Sequence, residues 1–79
     1  MKPPEYSKRA AKYINGLDKP SKLRIKDACE KIPKGDVKPM EGRTDGTYRL
    51  RVGKFRIVFK IINNTAIIED IGSRGDIYK

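Results

Sequence analysis

Two runs of alternating apolar and polar residues, TYRLRV and FRIVFKII, flank a Gly-Lys dipeptide at residues 53–54. Alternation with a period of two is typical of a strand with one buried face, and a two-residue connection that begins with Gly favours a type II′ hairpin turn. Such a turn fixes the register, because it makes Val52 and Phe55 the first cross-strand partners. The rest of the chain must therefore cover one face of this hairpin.

The predicted register divides the hairpin into an apolar face and a cationic face. The apolar face carries Tyr48, Leu50, Val52, Phe55, Ile57 and Phe59. The cationic face carries Arg49, Arg51, Arg56 and Lys60, and Lys54 lies in the turn. Residues 47–60 contain no anion, and Arg51 faces Arg56, a like-charge pair that destabilises a hairpin. Two interpretations stay open: an ordinary solvated strand face, and a phosphate-binding site to which Lys54 and Lys60 contribute RNA contacts.

The first thirty-odd residues have helical periodicity instead. Ser7 is a candidate N-cap for a helix that Asp18-Lys19-Pro20 ends, and Ser21 is a candidate N-cap for a second helix that ends at Pro33. Apolar residues recur at three- and four-residue steps, at Ala10, Tyr13, Ile14 and Leu17 and then at Ile25, Ala28, Cys29 and Ile32. This pattern predicts an αα-hairpin with one shared apolar seam. Because Cys29 lies on the seam, it is interpreted as a small buried hydrophobe and not as a reactive thiol.

Residues 33–46 are rich in Gly, Pro and Asp and predict a loop. Asn63-Asn64 is a second candidate two-residue turn, and in the TAIIEDI segment that follows it the isoleucines fall on both faces, so the register of residues 65–71 is left open. The sequence therefore predicts one α+β domain over residues 1–79, in which the αα-hairpin packs on a small antiparallel β-sheet.

Charge and composition exclude several kinds of chemistry. Lys and Arg number 19 against 10 Asp and Glu, a net charge of +9, with no His and a single Cys. A Ser-His-Asp triad, a Cys-His pair and a zinc cluster are all excluded, and nothing indicates a metal or another cofactor. The excess of cations favours a polyanionic partner, such as nucleic acid or the ribosome, over an ordinary basic surface with the same net charge. Neither a secretory leader nor an apolar run of about 18 residues is visible, so we expect a cytoplasmic protein with no membrane contact.

Two short motifs resemble a known family. The segments Y-R-x-R-x-G-x-x-R-I-V-F at residues 48–59 and G-S-R-x-x-x-Y at residues 72–78 are similar to those of the RelE branch of the RelE/ParE toxins of bacterial toxin–antitoxin systems. The resemblance implies a microbial RNase-like fold, a cognate antitoxin that neutralises the toxin, and cleavage of mRNA on the ribosome by attack of a 2′-hydroxyl on the adjacent phosphate. It also implies a toxin that is monomeric alone and forms a hetero-oligomer with its antitoxin.

Carried over by position, the resemblance makes five residues candidates for catalysis: Arg49, Arg51, Arg56, Arg74 and Tyr78. The best-known members have lysines where this chain has Arg49 and Arg51, and a guanidinium is effectively never deprotonated, so neither arginine can be a general base. The arginines would instead stabilise the pentacoordinate phosphate. Tyr78 is the candidate to exchange a proton or to stack on a base.

A second departure from the family concerns the start of the chain. Family members usually open with a strand, whereas MKPPEYSK has two prolines and almost no alternation, so we expect that strand to be short or missing. Two other functions stay open beside a metal-independent endoribonuclease. One is a ParE-like inhibitor of DNA gyrase, and the other is a non-catalytic or decayed RNA-binding homologue.

Overall fold

The computed structural model describes residues 2–32, 34–39 and 46–73. Within these ranges the chain forms β1 (Lys2–Tyr6), α1 (Lys8–Asn15), α2 (Lys19–Glu30), β2 (Asp36–Pro39), β3 (Thr47–Val52), β4 (Phe55–Ile62) and β5 (Thr65–Ser73). The strands build one sheet in the order β1-β5-β4-β3-β2. The α+β prediction is confirmed, and because β1 runs parallel to β5 while the other pairs are antiparallel, the sheet is mixed.

Both helices begin at a side-chain cap. The backbone N–H of Ala10 donates to Ser7 Oγ at 3.0 Å, and the Ser7 hydroxyl donates to the backbone carbonyl of Glu69 at 2.7 Å, so the predicted cap also ties α1 to β5. The second predicted cap is wrong. Asp18 caps α2 by accepting from the N–H of Ser21, and Lys19-Pro20 forms the first turn, because Pro fits there without losing an intrahelical hydrogen bond.

The core lies between the αα-hairpin and one face of the sheet. It contains the predicted apolar residues of both, namely Ala10, Ile14, Ile25, Cys29 and Ile32 of the helical half and Leu50, Phe55, Ile57 and Phe59 of the hairpin. Tyr48 and Val52 are half-buried against it, and Tyr48 stacks on Phe59 with ring centroids 5.7 Å apart. The predicted apolar face of the hairpin is thus confirmed.

The hairpin register is also as predicted. Val52 pairs with Phe55 and Arg51 with Arg56, and Gly53 has a φ of +56° at the first position of the turn, where a residue with a Cβ would be strained. Asn63 and Asn64 both have positive φ, as a type I′ turn requires. Both turns are therefore built by the residue types that the sequence indicates.

A β-bulge explains the poor alternation of β5. Phe59 pairs with Ile68 and its neighbour Val58 pairs with Asp70, which leaves Glu69 as an extra residue. The extra residue shifts the pleat, so that Ile68 and Ile71 both reach the core although they are three positions apart.

The first strand was expected to be short or missing, and the structure shows that it is short: β1 is a five-residue strand at the edge of the sheet. Its pairing with β5 is irregular between Lys2 and Glu5, where the two prolines lie, because Pro has no N–H to donate to the ladder.

Residues 36–39 correct the prediction of an uninterrupted loop over 33–46. They form β2, which pairs with β3 at the other edge of the sheet. Val37 is the one aliphatic residue of β2 and is half-buried against the core. A four-residue strand with a single apolar residue shows no alternation, so sequence analysis could not detect it.

Among the described residues, neither helix has the length and apolar composition that a membrane span requires.

Candidate phosphate-binding site

Three arginines lie on the face of the sheet that points away from the helices, and we call this group the arginine face: Arg49, Arg51 and Arg56. Arg49 and Arg51 are two residues apart on β3, a step of roughly 7 Å along a strand. Arg56 on β4 is the direct cross-strand partner of Arg51. The structure therefore brings together three of the five residues that were predicted to act in catalysis.

Arg56 is buried rather than solvated. It is only 1 % exposed, and Val58 on the same face is 7 % exposed, whereas Arg49 and Arg51 are half-buried. An ordinary solvated strand face does not describe this arrangement. Arg51 and Arg56 also make interactions within the fold, and both stand on strands that are paired in the sheet.

Each of the three arginines has a buried guanidinium nitrogen that meets no hydrogen-bond acceptor among the described residues, although Arg51 and Arg56 also make other interactions. These atoms are Nη1 of Arg49, Nε of Arg51, and Nε and Nη1 of Arg56. A buried donor of this kind is costly unless a ligand or water satisfies it. A phosphate oxygen is a suitable acceptor, because it is anionic and matches the guanidinium fork.

The two lysines that were predicted to contact RNA have different surroundings. Lys60 lies 3.7 Å from a carboxylate oxygen of Glu69, so β5 supplies an anion that the hairpin itself lacks. Lys54 is exposed in the turn, with Nζ 5.5 Å from the centroid of the Phe55 ring. Lys54 is thus the more available of the two for a ligand, while Lys60 is partly neutralised.

Sequence analysis missed one cation of this surface. Lys38 of β2 pairs with Arg49 across the strands and is exposed, so it extends the positive charge to the edge of the sheet. The signal was hidden because β2 itself was not predicted. Arg74 and Tyr78, the remaining candidates, lie outside the described residues.

Cys29 has no part in this site. It is 1 % exposed in the core and is hydrogen-bonded to Tyr6, and burial raises the pKa of its thiol to about 11. Burial also raises the pKa of the Tyr6 hydroxyl. Both groups are therefore neutral at physiological pH, which confirms that Cys29 is a buried structural residue.

Comparison with known proteins decides the family. The family model described as "ParE toxin of type II toxin-antitoxin system, parDE" matches residues 5–78. The chain belongs to the ParE toxin family. The match includes the whole arginine face as well as both helices, so family membership rests on nearly the full chain and not on the hairpin motif alone.

Solved structures of related toxins have the same fold. The RelB–RelE antitoxin–toxin complex from Methanococcus jannaschii matches with 26% identity and a TM-score of 0.76, covering 94% of this chain and 94% of that chain. The archaeal RelE–RelB complex from Pyrococcus horikoshii matches with 27% identity and a TM-score of 0.70, covering 90% and 92%. The isolated RelE toxin of E. coli shares only the fold, with 17% identity, a TM-score of 0.67 and coverage of 94% and 87%. No curated protein sequence matches significantly.

Proposed function

We propose that this ParE-family protein is a cytoplasmic endoribonuclease toxin that cleaves mRNA on the ribosome and is neutralised by a cognate antitoxin. The observation that carries the proposal is the buried Arg56 placed directly opposite Arg51. A sheet that needed only to fold would place an aliphatic residue at a position this deeply buried, because burying a charge is costly and like charges in register are destabilising. Buried charges of this kind are typical of functional sites.

In the proposed reaction, the arginines of the arginine face would bind the phosphate, and none of them would act as a general base. The 2′-oxygen of a ribose attacks the adjacent phosphorus, the O2′–P bond forms and the P–O5′ bond breaks. One proton leaves the 2′-hydroxyl and another is delivered to the departing 5′-oxygen. Arg49, Arg51 and Arg56 would stabilise the negative charge that grows on the phosphate oxygens, a contribution that is large when the donors are preorganised. Tyr78 is proposed as the proton-exchanging or base-stacking group.

An antitoxin partner is supported by the relatives. The M. jannaschii and P. horikoshii toxins are both seen in complex with RelB. A chain of net charge +9 would attract an acidic partner over a long range, and binding to the folded state alone would stabilise it. We propose that the free toxin is monomeric and that the complex is a hetero-oligomer.

A second candidate function is inhibition of DNA gyrase. The description of the matching family model, a ParE toxin, favours it, whereas the arginine face favours RNA cleavage. Primer extension on a translated message, made before and after induction of the protein, separates the two. New 5′ ends within the message are expected for the ribonuclease. Uncut message together with loss of DNA supercoiling by purified gyrase would support the alternative and contradict the ribonuclease.

A further inference from the structure

The β-bulge of β5 brings a carboxylate to the arginine face. Glu69 is the extra residue of that bulge, opposite Val58 of β4. Its Oε2 atom lies 3.7 Å from Nζ of Lys60, which is also on β4. Lys60 and Val58 flank the core residue Phe59 along the strand, so both point away from the helices. The Glu69 side chain therefore reaches over β4 on the same face as the arginines.

Val58 is the point around which the charged side chains of this face are arranged. Arg49 is its cross-strand partner on β3, and Arg56 and Lys60 are two positions away along β4. Glu69 lies on the other side of Val58, on β5. Adjacent strands are about 4.8 Å apart, so the backbones at Arg49 and Glu69 are separated by about 10 Å, a gap that two long side chains can close. A phosphate over buried Val58 would meet cations and a carboxylate together.

The backbone of the bulge is held by the start of α1. The N–H of Ser7 donates to the Ile68 carbonyl at 2.9 Å, and the Ser7 hydroxyl donates to the Glu69 carbonyl at 2.7 Å. Bulges are frequent beside active sites, where they redirect a side chain. Two hydrogen bonds to consecutive carbonyls thus fix the backbone from which Glu69 extends.

The adjacent carboxylate, Asp70, is engaged elsewhere. Its Oδ1 atom accepts from the N–H of Ile71 at 2.9 Å, and its Oδ2 atom lies 3.6 Å from Nη1 of Arg9 on α1. Both carboxylate oxygens therefore have partners, and one of these partners belongs to a helix. Of the two neighbouring carboxylates, Glu69 is the one that is paired with a residue of the sheet face that carries the arginines.

A carboxylate among cations that bind phosphate needs a reason. It repels the phosphates of an incoming RNA and lowers the positive potential of the surface. The ion pair between Glu69 and Lys60 is partly exposed to solvent, and such pairs contribute little to stability. What a carboxylate adds to this face is the ability to accept a proton, which no guanidinium has.

We propose that Glu69 is the general base of the ribonuclease, and that it takes the proton of the attacking 2′-hydroxyl while the arginines hold the phosphate. The proposal rests on the proposed function and adds a catalytic residue to it. The O2′–P bond forms as the proton moves to the Glu69 carboxylate, and the P–O5′ bond breaks as a second group protonates the departing oxygen. Tyr78 is the candidate for that second group. Glu69 then returns its proton to water.

Glu69→Gln removes the proton acceptor while keeping the size of the side chain. We expect cleavage of a translated message to slow by about 100-fold or more. Ribosome binding should stay equal or become tighter, because an anion has left a phosphate-binding surface. If Glu69 only neutralised Lys60, the same variant would cleave as fast as the unmodified protein or faster. Primer extension gives the rate and sedimentation with ribosomes gives binding, and cleavage at the normal rate or above would overturn the proposal.

Two further variants control for charge and structure. Asp70→Asn makes the same change of charge at the next residue and should cleave normally. Glu69→Asp keeps a carboxylate on a side chain that is one methylene shorter, so it should cleave faster than Glu69→Gln. Melting temperatures show that each variant is folded. Equal losses in Asp70→Asn and Glu69→Gln would mean that the bulge or the net charge matters rather than a base at residue 69, which would overturn the proposal.

A sulfur-substituted message distinguishes a base from an acid. In this message, sulfur replaces the departing 5′-oxygen at one mapped cleavage site, and the sulfur leaves as a thiolate that needs no proton. Cleavage by Glu69→Gln should stay slow on this substrate, because the 2′-hydroxyl must still lose its proton. Recovery of cleavage by Glu69→Gln would assign Glu69 to protonation of the leaving group and would overturn its role as the base.

The unmodified protein keeps this inference distinguishable from the proposed function. If the unmodified protein cleaves no message on ribosomes, the ribonuclease fails and the role of Glu69 fails with it. If it cleaves the message and Glu69→Gln cleaves equally well, only the role of Glu69 fails and the ribonuclease stands.

Discussion

Arg51 on β3 and Arg56 on β4 are direct cross-strand partners, yet Arg56 is buried and Arg51 is half-exposed. The pair therefore joins a rigid, desolvated cation to one that a ligand can reach. In a site that stabilises negative charge on a phosphate, buried Arg56 would contribute a positive electrostatic potential, and Arg51 would contact the phosphate directly.

Replacing Arg51 tests that contact. Arg51→Ala should lower the rate of message cleavage by roughly 100- to 1000-fold, which is the usual loss for one preorganised donor to a transition-state anion. The substitution removes both a like-charge repulsion and the interaction that Arg51 makes within the fold, and because these effects oppose each other we expect only a small change in melting temperature. Primer extension gives the rate, and circular dichroism gives the melting temperature. Lys26→Ala, on the exposed surface of α2, is the control and should cleave normally.

Replacing Arg56 must separate its charge from its packing. Arg56→Ala should lower the free energy of unfolding by about 2–4 kcal/mol, as for other large buried side chains cut back to alanine. Arg56→Met keeps an unbranched stem of similar length, so it should lose less stability while still losing cleavage. Urea denaturation and primer extension are compared for the two variants. Normal cleavage by folded Arg56→Met would remove the guanidinium from the mechanism.

We expect Ser7 to contribute more to the free energy of unfolding than Asp18, which is the N-cap of α2. Ser7→Ala removes both the cap of α1 and the hydrogen bond to the Glu69 carbonyl, and we expect a loss of about 1–2 kcal/mol. In a domain of this size, each kcal/mol lowers the melting temperature by about 4–8 °C. Asp18→Ala removes an exposed cap that serves α2 alone, so its loss should be smaller. Equal losses would show that the link from α1 to β5 contributes little.

Stability should decrease at high pH because of Cys29 and Tyr6. Burial raises the pKa of both groups above their unfolded values, so the fold favours the neutral thiol and the neutral phenol. The contribution of Cys29 is therefore complete below the ordinary thiol pKa of 9.0 and is lost as the pH rises towards about 11. The contribution of Tyr6 is lost at higher pH, above the ordinary tyrosine pKa of 10.0. Urea denaturation from neutral pH to about pH 11 measures the decrease over the full range of the thiol shift.

Variants assign that decrease to its two groups. Cys29→Ala should reduce the slope of stability against pH from pH 9.0 upward, and Tyr6→Phe should reduce it only above pH 10.0, the ordinary pKa of tyrosine. Each variant also removes packing or a hydrogen bond, so the comparison concerns the slope and not the stability at neutral pH. An unchanged slope in Cys29→Ala would mean that other groups cause the decrease.

The β3–β4 hairpin could be predicted from the sequence because the residues that determine its turn and its register are close together in the chain. A two-residue turn with Gly53 at a positive φ fixes the register, and the register fixes which side chains share a face. The same reasoning placed Arg51 opposite Arg56 but could not show that Arg56 is buried, since burial depends on the whole fold rather than on alternation.

Elements without a local period were harder to predict. Strand β2 has only Val37 to bury, and the bulge at Glu69 hides the period of β5. Both features are decided by pairing with a distant strand.

Tyr78 gives the last test, which separates cleavage from binding. Tyr78 lies outside the described residues, and its role is carried over from the toxin motif at the end of the chain. Tyr78→Phe keeps an aromatic ring for stacking and loses only the hydroxyl, whereas Tyr78→Ala loses both. If the hydroxyl exchanges a proton, both variants should cleave about 100-fold or more slowly, while only Tyr78→Ala binds ribosomes less well. Sedimentation with ribosomes at several salt concentrations measures binding, which should weaken steeply with salt if the arginines contact phosphates as proposed. Full cleavage by both variants would leave a purely electrostatic site, in which Arg49, Arg51 and Arg56 lower the barrier without a proton-exchanging side chain at residue 78.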